Sequence, residues 1–243
     1  MKNMKWMVAA LLAIFSLQSC LFLDDDPFSC ERGVGPTVTK VLELPSFSGI
    51  DLQISGKVIL IQGPEQHVEV EGQENIIDLL RLSVSNDTWN IRFDDCVRQH
   101  EELVFYITLP DIGYVSISGS GSVYGDNVFE GNDINLRISG SGDMDLALDD
   151  FDEVDIRISG SGDIRLEGEA NEFDLDISGS GDYEAFGLQT QKGDINISGS
   201  GDAEVYVIDR LDVKITGSGS VYYMGNPILN VHITGSGKVQ EAN

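Results

Sequence analysis

Residues 134–163 read INLRISGSGDMDLALDDFDEVDIRISGSGD, and the second half of this stretch repeats the plan of the first. In each half, apolar residues alternate with polar ones (Ile134, Leu136, Ile138; then Val154, Ile156, Ile158) and run into Ser-Gly-Ser-Gly-Asp. A period of two marks a strand with one buried face. The tetrad of Ser or Thr, Gly, Ser, Gly begins at Ser118, Ser139, Ser159, Ser178, Ser198, Thr216 and Thr234, at offsets of 18 to 21 residues. A fixed period of this size is the mark of stacked repeats.

The same inward column continues through Val115 and Ile117, Phe173, Leu175 and Ile177, Ile195 and Ile197, Leu211, Val213 and Ile215, then Leu229, Val231 and Ile233. After each tetrad a second alternating strand follows, inward at Val123, Met144, Leu146, Ile164, Leu166, Tyr183, Ala185, Ala203, Val205, Val221 and Tyr223. Each repeat thus reads strand, corner, strand, turn. A coil of this length cannot close a core alone, but coils stacked about 4.8 Å apart pair every strand with its counterparts above and below. The expected fold is all-β, a right-handed parallel β-helix (solenoid) of coils near 20 residues with an irregular β N-terminal cap; an antiparallel meander is its rival. In the tetrad, Gly permits positive φ at a sharp corner and leaves room for the backbone of the next coil, while the hydroxyls can form ladders. A phosphate-cradling loop is disfavoured, because a strand and not a helix follows.

Polar columns lie outward between the apolar ones. Asn135, Arg137, Asp155, Arg157, Asp174 and Asp194 form the candidate ligand face. Asp143, Asp163, Asp182 and Asp202 follow the tetrads in one column, where stacked carboxylates repel unless solvated or cation-bound. A solvated acidic edge is the expectation for them, with Ca²⁺ as the alternative.

The N-terminal Lys2 and Lys5 with the apolar run Met7 to Leu17 read as a signal peptide, too short to span a membrane. Leu17-Gln18-Ser19-Cys20 resembles the bacterial lipoprotein box, which makes Cys20 the expected lipidation site and residues 1–19 the leader. Leu21 in place of an acid after the Cys points to the outer membrane, on its periplasmic or its external side. Asp24, Asp25 and Asp26 read either as a flexible acidic tether, residues 20–36, or as a signal for surface export. The chain carries 41 acidic and 15 basic residues, a net charge of −26, which excludes nucleic acid and leaves membrane attachment to acyl chains alone. Cys30 and Cys96 remain for a disulfide in an exported, oxidising compartment.

Residues 37–113 are strand-rich but irregular, with one helical stretch from Asn75 to Leu80, and are expected to cap the regular coils of residues 114–243. Phe47-Ser48-Gly49-Ile50, the strand Leu103 to Leu109 ending in Pro110, and the SGSG series together resemble the head GIN domain family, described as auto-transporter adhesins and common among Bacteroidetes lipoproteins. The resemblance covers residues 40–240 and implies a β-helical fold without a catalytic motif. Three functions follow as expectations. One is a non-catalytic cell-surface module that binds a glycan or an extracellular protein, with Tyr114, Tyr124, Tyr206 and Tyr222 near its outward columns. The second is a polysaccharide lyase or hydrolase, against which stand evenly repeated Asp residues and the wide separation of His67, His100 and His232. The third is a self-associating envelope protein that forms homo-oligomers through its last coil.

Overall fold

The computed structural model describes residues 30–242, so the leader, Cys20 and the acidic run lie outside the described residues. The fold is nearly all β, 62% strand and 2% helix, wound as a β-solenoid of about six turns. Among the described residues, seventeen strands and one short helix follow one another. The first third holds β1 (Thr37–Val41), β2 (Gly49–Leu52), β3 (Lys57–Gln62), β4 (His67–Gln73), α1 (Glu74–Ile77), β5 (Val84–Ser85), β6 (Thr88–Ile91) and β7 (Val104–Leu109). The repeats hold β8 (Tyr114–Ile117), β9 (Ser122–Glu130), β10 (Asp133–Ile138), β11 (Met144–Ile158), β12 (Ile164–Ile177), β13 (Tyr183–Ile197) and β14 (Ala203–Gly217). The last coil and a half is β15 (Ser220–Met224), β16 (Ile228–Gly235) and β17 (Lys238–Glu241).

Two parallel sheets result, one on each side of the tetrad corner. The pre-tetrad sheet runs β6, β2, β8, β10, then the second halves of β11 to β14, then β16. The post-tetrad sheet runs β7, β3, β9, the first halves of β11 to β14, then β15 and β17. Ile138 sits over Ile158, Ile158 over Ile177, Ile177 over Ile197 and Ile197 over Ile215, and all are buried. The apolar columns therefore form one core between the sheets.

The tetrads sit at the corner for a reason narrower than backbone freedom. Of their glycines only Gly217 and Gly235 have positive φ. A Cβ on Gly140 would lie 1.8 Å from the carbonyl oxygen of Gly119, and one on Gly160 equally close to that of Gly140. The gap is closed because backbone stacks directly on backbone there: Ser161 N–H donates to Gly140 O and Ser180 N–H to Gly160 O, both at 3.0 Å. No hydroxyl ladder forms among the described residues; Ser139, Ser159, Ser178 and Ser198 face solvent. In β11 to β14 the second turn of the coil is a bend within one long strand, with register shifts such as that between Leu148 and Phe151 and positive φ at Asp150 and Gly168.

The first third both joins the stack and closes it. The coil β2–β3 lies between β6–β7 and β8–β9, so stacking order departs from chain order. Gly56, in the truncated tetrad Ile54-Ser55-Gly56, sits beneath the first complete one and accepts a 2.9 Å bond from Ser122 N–H. Beyond β7 the direction reverses: β4 pairs antiparallel with β7, and β1 with β4. The β5–β6 hairpin turns through Asn86 and Asp87, both at positive φ, as tight hairpins require. Phe47, Trp89, Phe105, Ile76, Ile77 and Leu80 plug this end, with Trp89 Nε1 donating to Arg81 O at 2.8 Å. Cys30 and Cys96 form a disulfide with their Cα atoms 4.6 Å apart.

At the opposite end, Leu229, Val231 and Ile233 occupy inward positions like those of every earlier coil, yet remain 39%, 40% and 38% exposed, because among the described residues no rung covers them and this end is bare.

Candidate functional site

Alternation fixes which residues the pre-tetrad sheet turns outward, and in-register stacking lines them into rows. One row runs Tyr114, Asn135, Asp155, Asp174, Asp194, Asp212 and Asn230. Its neighbour runs Ser116, Arg137, Arg157, Asp176, Asn196, Lys214 and His232. The exposed tetrad Ser residues form a third. All six residues expected on the ligand face thus share one sheet face.

The face is a trough. A depression of about 680 Å³ covers its acidic part, from Asp155 and Asp174 to Asp212 and His232. Another of about 620 Å³ covers its basic part, with Tyr114, Arg137, Arg157 and the Ser row. They share Arg157, Asp176 and Asn196, so the trough is continuous along the solenoid axis.

Charge changes sign at one rung. Arg137 and Arg157 stand side by side, and Arg157 Nε lies 3.6 Å from Asp176 Oδ2. From there carboxylates dominate. Partial burial and then the Asp155 charge hold Asp174 above the usual carboxylate range; burial and then Asp174 do the same to Asp194. Glu153 is raised chiefly by the charge of Asp155. Asp212 shifts the other way, because Arg210 donates to it from Nε at 2.5 Å and Asn230 from Nδ2 at 2.8 Å. Glu153, Asp155 and Asp174 can bring carboxylate oxygens within 4.8 Å of one another.

The Asp column after the tetrads lies on a different edge and has a backbone role. Asp163 Oδ1 accepts from Asp182 N–H at 2.8 Å, Asp182 Oδ1 from Asp202 N–H at 2.7 Å, and Asp202 Oδ1 from Ser220 N–H at 2.6 Å. Each carboxylate therefore supplies the acceptor that the ladder lacks where the corner meets the next strand.

The aromatic residues do not gather. Tyr114 lies in the trough, whereas Tyr124, Tyr206 and Tyr222 belong to the post-tetrad sheet. That second face carries the stack Asp145, Arg165, Glu184 and Glu204, in which Arg165 pairs with Glu184 and approaches Asp145 at 3.7 Å. His67 pairs with Glu69 in the cap, His100 bonds to the Glu101 carbonyl, and His232 alone reaches the trough. Tyr183 is buried in the core, its hydroxyl has no partner, and burial pushes the phenol far above its usual range.

A capped parallel solenoid that exposes one continuous polar trough defines the class: a repeat protein built to display a face. The profile of the family described as "Putative auto-transporter adhesin, head GIN domain" matches residues 46–227, and the chain belongs to that family. Solved structures agree in fold. A putative adhesin from Bacteroides fragilis superposes with a TM-score of 0.82 at 24% identity, over 87% of this chain and 100% of its own. A putative lipid binding protein from Parabacteroides distasonis gives 0.74 at 23% identity, over 88% and 100%. A putative adhesin from Parabacteroides merdae gives 0.71 at 22%, over 88% and 99%. Among curated proteins none matches the chain. Among the described residues no helix is long and apolar enough to cross a membrane.

Proposed function

We propose that this chain is a non-catalytic adhesin, a lipoprotein attached through Cys20 to the outer membrane, whose trough binds a glycan or an extracellular protein. The observation that carries this reading is the continuity of the trough: polar rows at the rung spacing offer repeated hydrogen-bonding groups to an extended ligand. Polar lining favours a sugar or a hydrophilic peptide over an acyl chain, although one structural relative is described as a putative lipid binding protein. A polysaccharide-cleaving site needs two carboxyl groups with contrasting environments. Asp174 and Asp194 are instead both raised, chiefly by partial burial, and Asp212, the one carboxyl of this row held low, is already engaged by Arg210 and Asn230. The test is capture from cell-surface extracts and a glycan array with the intact domain, repeated with Asp174→Asn and Asp194→Asn. Retention that falls in both variants supports the trough; retention equal in all three proteins places the ligand elsewhere.

A second reading, self-association, is favoured by the bare end. The cap closes the other end, so growth into a filament is blocked, and two copies meet only through β16 and β17. Residues 228–242 balance Lys238 against Glu241, so this coil brings no net charge to the contact in a strongly acidic chain. Light scattering of the domain and of Val231→Lys distinguishes the outcomes: a dimer that the substitution dissolves supports pairing, and a monomer at every concentration rejects it.

A further inference from the structure

Arg137 is placed as a binding group is placed, and among the described residues no carboxylate pairs with it. It stands in register with Arg157 on the adjacent rung, so two like charges face outward from strands about 4.8 Å apart. Among the described residues no carboxylate lies within 4.0 Å of its guanidinium, whereas Arg157 at least approaches Asp176. Arg137 Nε is buried without a hydrogen-bond partner. The guanidinium carbon lies 5.6 Å from the centre of the Tyr114 ring, a cation–π contact that anchors the group beside the ring. A fixed guanidinium beside a second one is the arrangement that takes a carboxylate through paired N–H donors.

The surroundings narrow the ligand further. From Asp155, on the rung of Arg157 itself, the trough turns acidic, with Asp174 and Asp194 along its floor. A polyanion that seated one acidic group at Arg137 would carry its remaining groups onto those carboxylates, against the net charge of the whole chain. Neutral sugars fit there instead, because their hydroxyls donate to Asp and exchange hydrogen bonds with Ser139 and Ser159 on the neighbouring row. The isoleucines of this sheet point into the core, which leaves no apolar pocket for the side chains of a peptide.

Resting on the trough as the ligand face, we propose that Arg137 and Arg157 seat the single carboxylate of a terminal acidic sugar, and that the neutral remainder of the glycan runs along the acidic rungs. The ligand class is an oligosaccharide capped by one carboxylated sugar.

Calorimetry of the intact domain with sialyllactose, lactose and a short peptide with a free C-terminal carboxylate tests this. Sialyllactose is expected to bind at least tenfold more tightly than lactose. Arg137→Gln is expected to abolish that preference and Arg137→Lys to restore part of it, with an unchanged melting temperature in both as the check on folding. Equal affinity for the two sugars, or a preference that survives Arg137→Gln, overturns the carboxylate seat. It leaves the trough reading standing where Asp194→Asn weakens both sugars alike. Tighter binding of the peptide overturns the assignment to a sugar. Absence of binding by either sugar, with none retained on a glycan array, overturns the trough as a sugar-binding face and the seat with it.

Discussion

A tetrad glycine and the aspartate that follows it do different work at the same corner. Gly160 is required because a neighbouring backbone carbonyl occupies the place of a Cβ, and backbone cannot move aside as a flexible side chain can. Gly160→Ala should destabilise the domain by about 3 kcal/mol or more. Thermal unfolding should show this as a fall of roughly 6 to 12 °C. Gly113→Ala, with open space around it, should leave the transition in place. Asp182 accepts the N–H of Asp202, so Asp182→Ala strands a backbone donor and should cost about 1–3 kcal/mol. Asp182→Asn keeps an acceptor oxygen and should cost less in the same denaturant titration. The inward columns were legible in the sequence because alternation alone decides them. The backbone role of the Asp column was not, since a carboxylate that caps an N–H and one that is merely solvated have the same spelling.

At the scale of elements, the sequence announced the repeat, its irregular cap and the last coil as a pairing edge, and concealed the exposure of single residues and the stacking order at the base. Leu229, Val231 and Ile233 are spelled like every earlier rung, and burial comes from the next coil, which a pattern within one coil cannot report. The β2–β3 coil was concealed for a related reason: its neighbours in space are β6–β7 and β8–β9, and pairing out of chain order leaves no trace in periodicity. Hydrogen exchange should follow this geometry. Amides in β12 and β13, with a paired strand on both sides, should exchange most slowly, and those in β16 and β17 orders of magnitude faster. Uniform protection along the stack would contradict the bare end. The trough was half legible: its rows could be read off the repeat, but the isolation of Arg137 over Tyr114 depends on side-chain placement across coils.

For the whole molecule, acidity sets a pH dependence with a definite sign. Asp174 and Asp194 hold their protons more tightly folded than unfolded, so protonating them favours the fold, and stability should rise as pH falls from neutral toward the ordinary Asp range at about 4. Asp212 is held below its usual range, so its stabilising contribution persists through that window and is lost in stronger acid, as pH falls from about 4 through its depressed value. Melting temperatures measured across this range should therefore pass through a maximum, and Asp174→Asn with Asp194→Asn should flatten the rise on its upper side.

The Cys30–Cys96 bond has a mechanical consequence. A load entering through the segment that precedes Cys30 crosses the sulfur bridge to Cys96, so residues 31–95, with β1 to β6 among them, form a closed loop that carries no tension. The plug at the base of the stack is thereby shielded from any pull on the rod, and force reaches β7 and the coils above it directly. Stretching single molecules should show this as missing length: full extension of the oxidised chain should fall short of the reduced chain by roughly 220 Å.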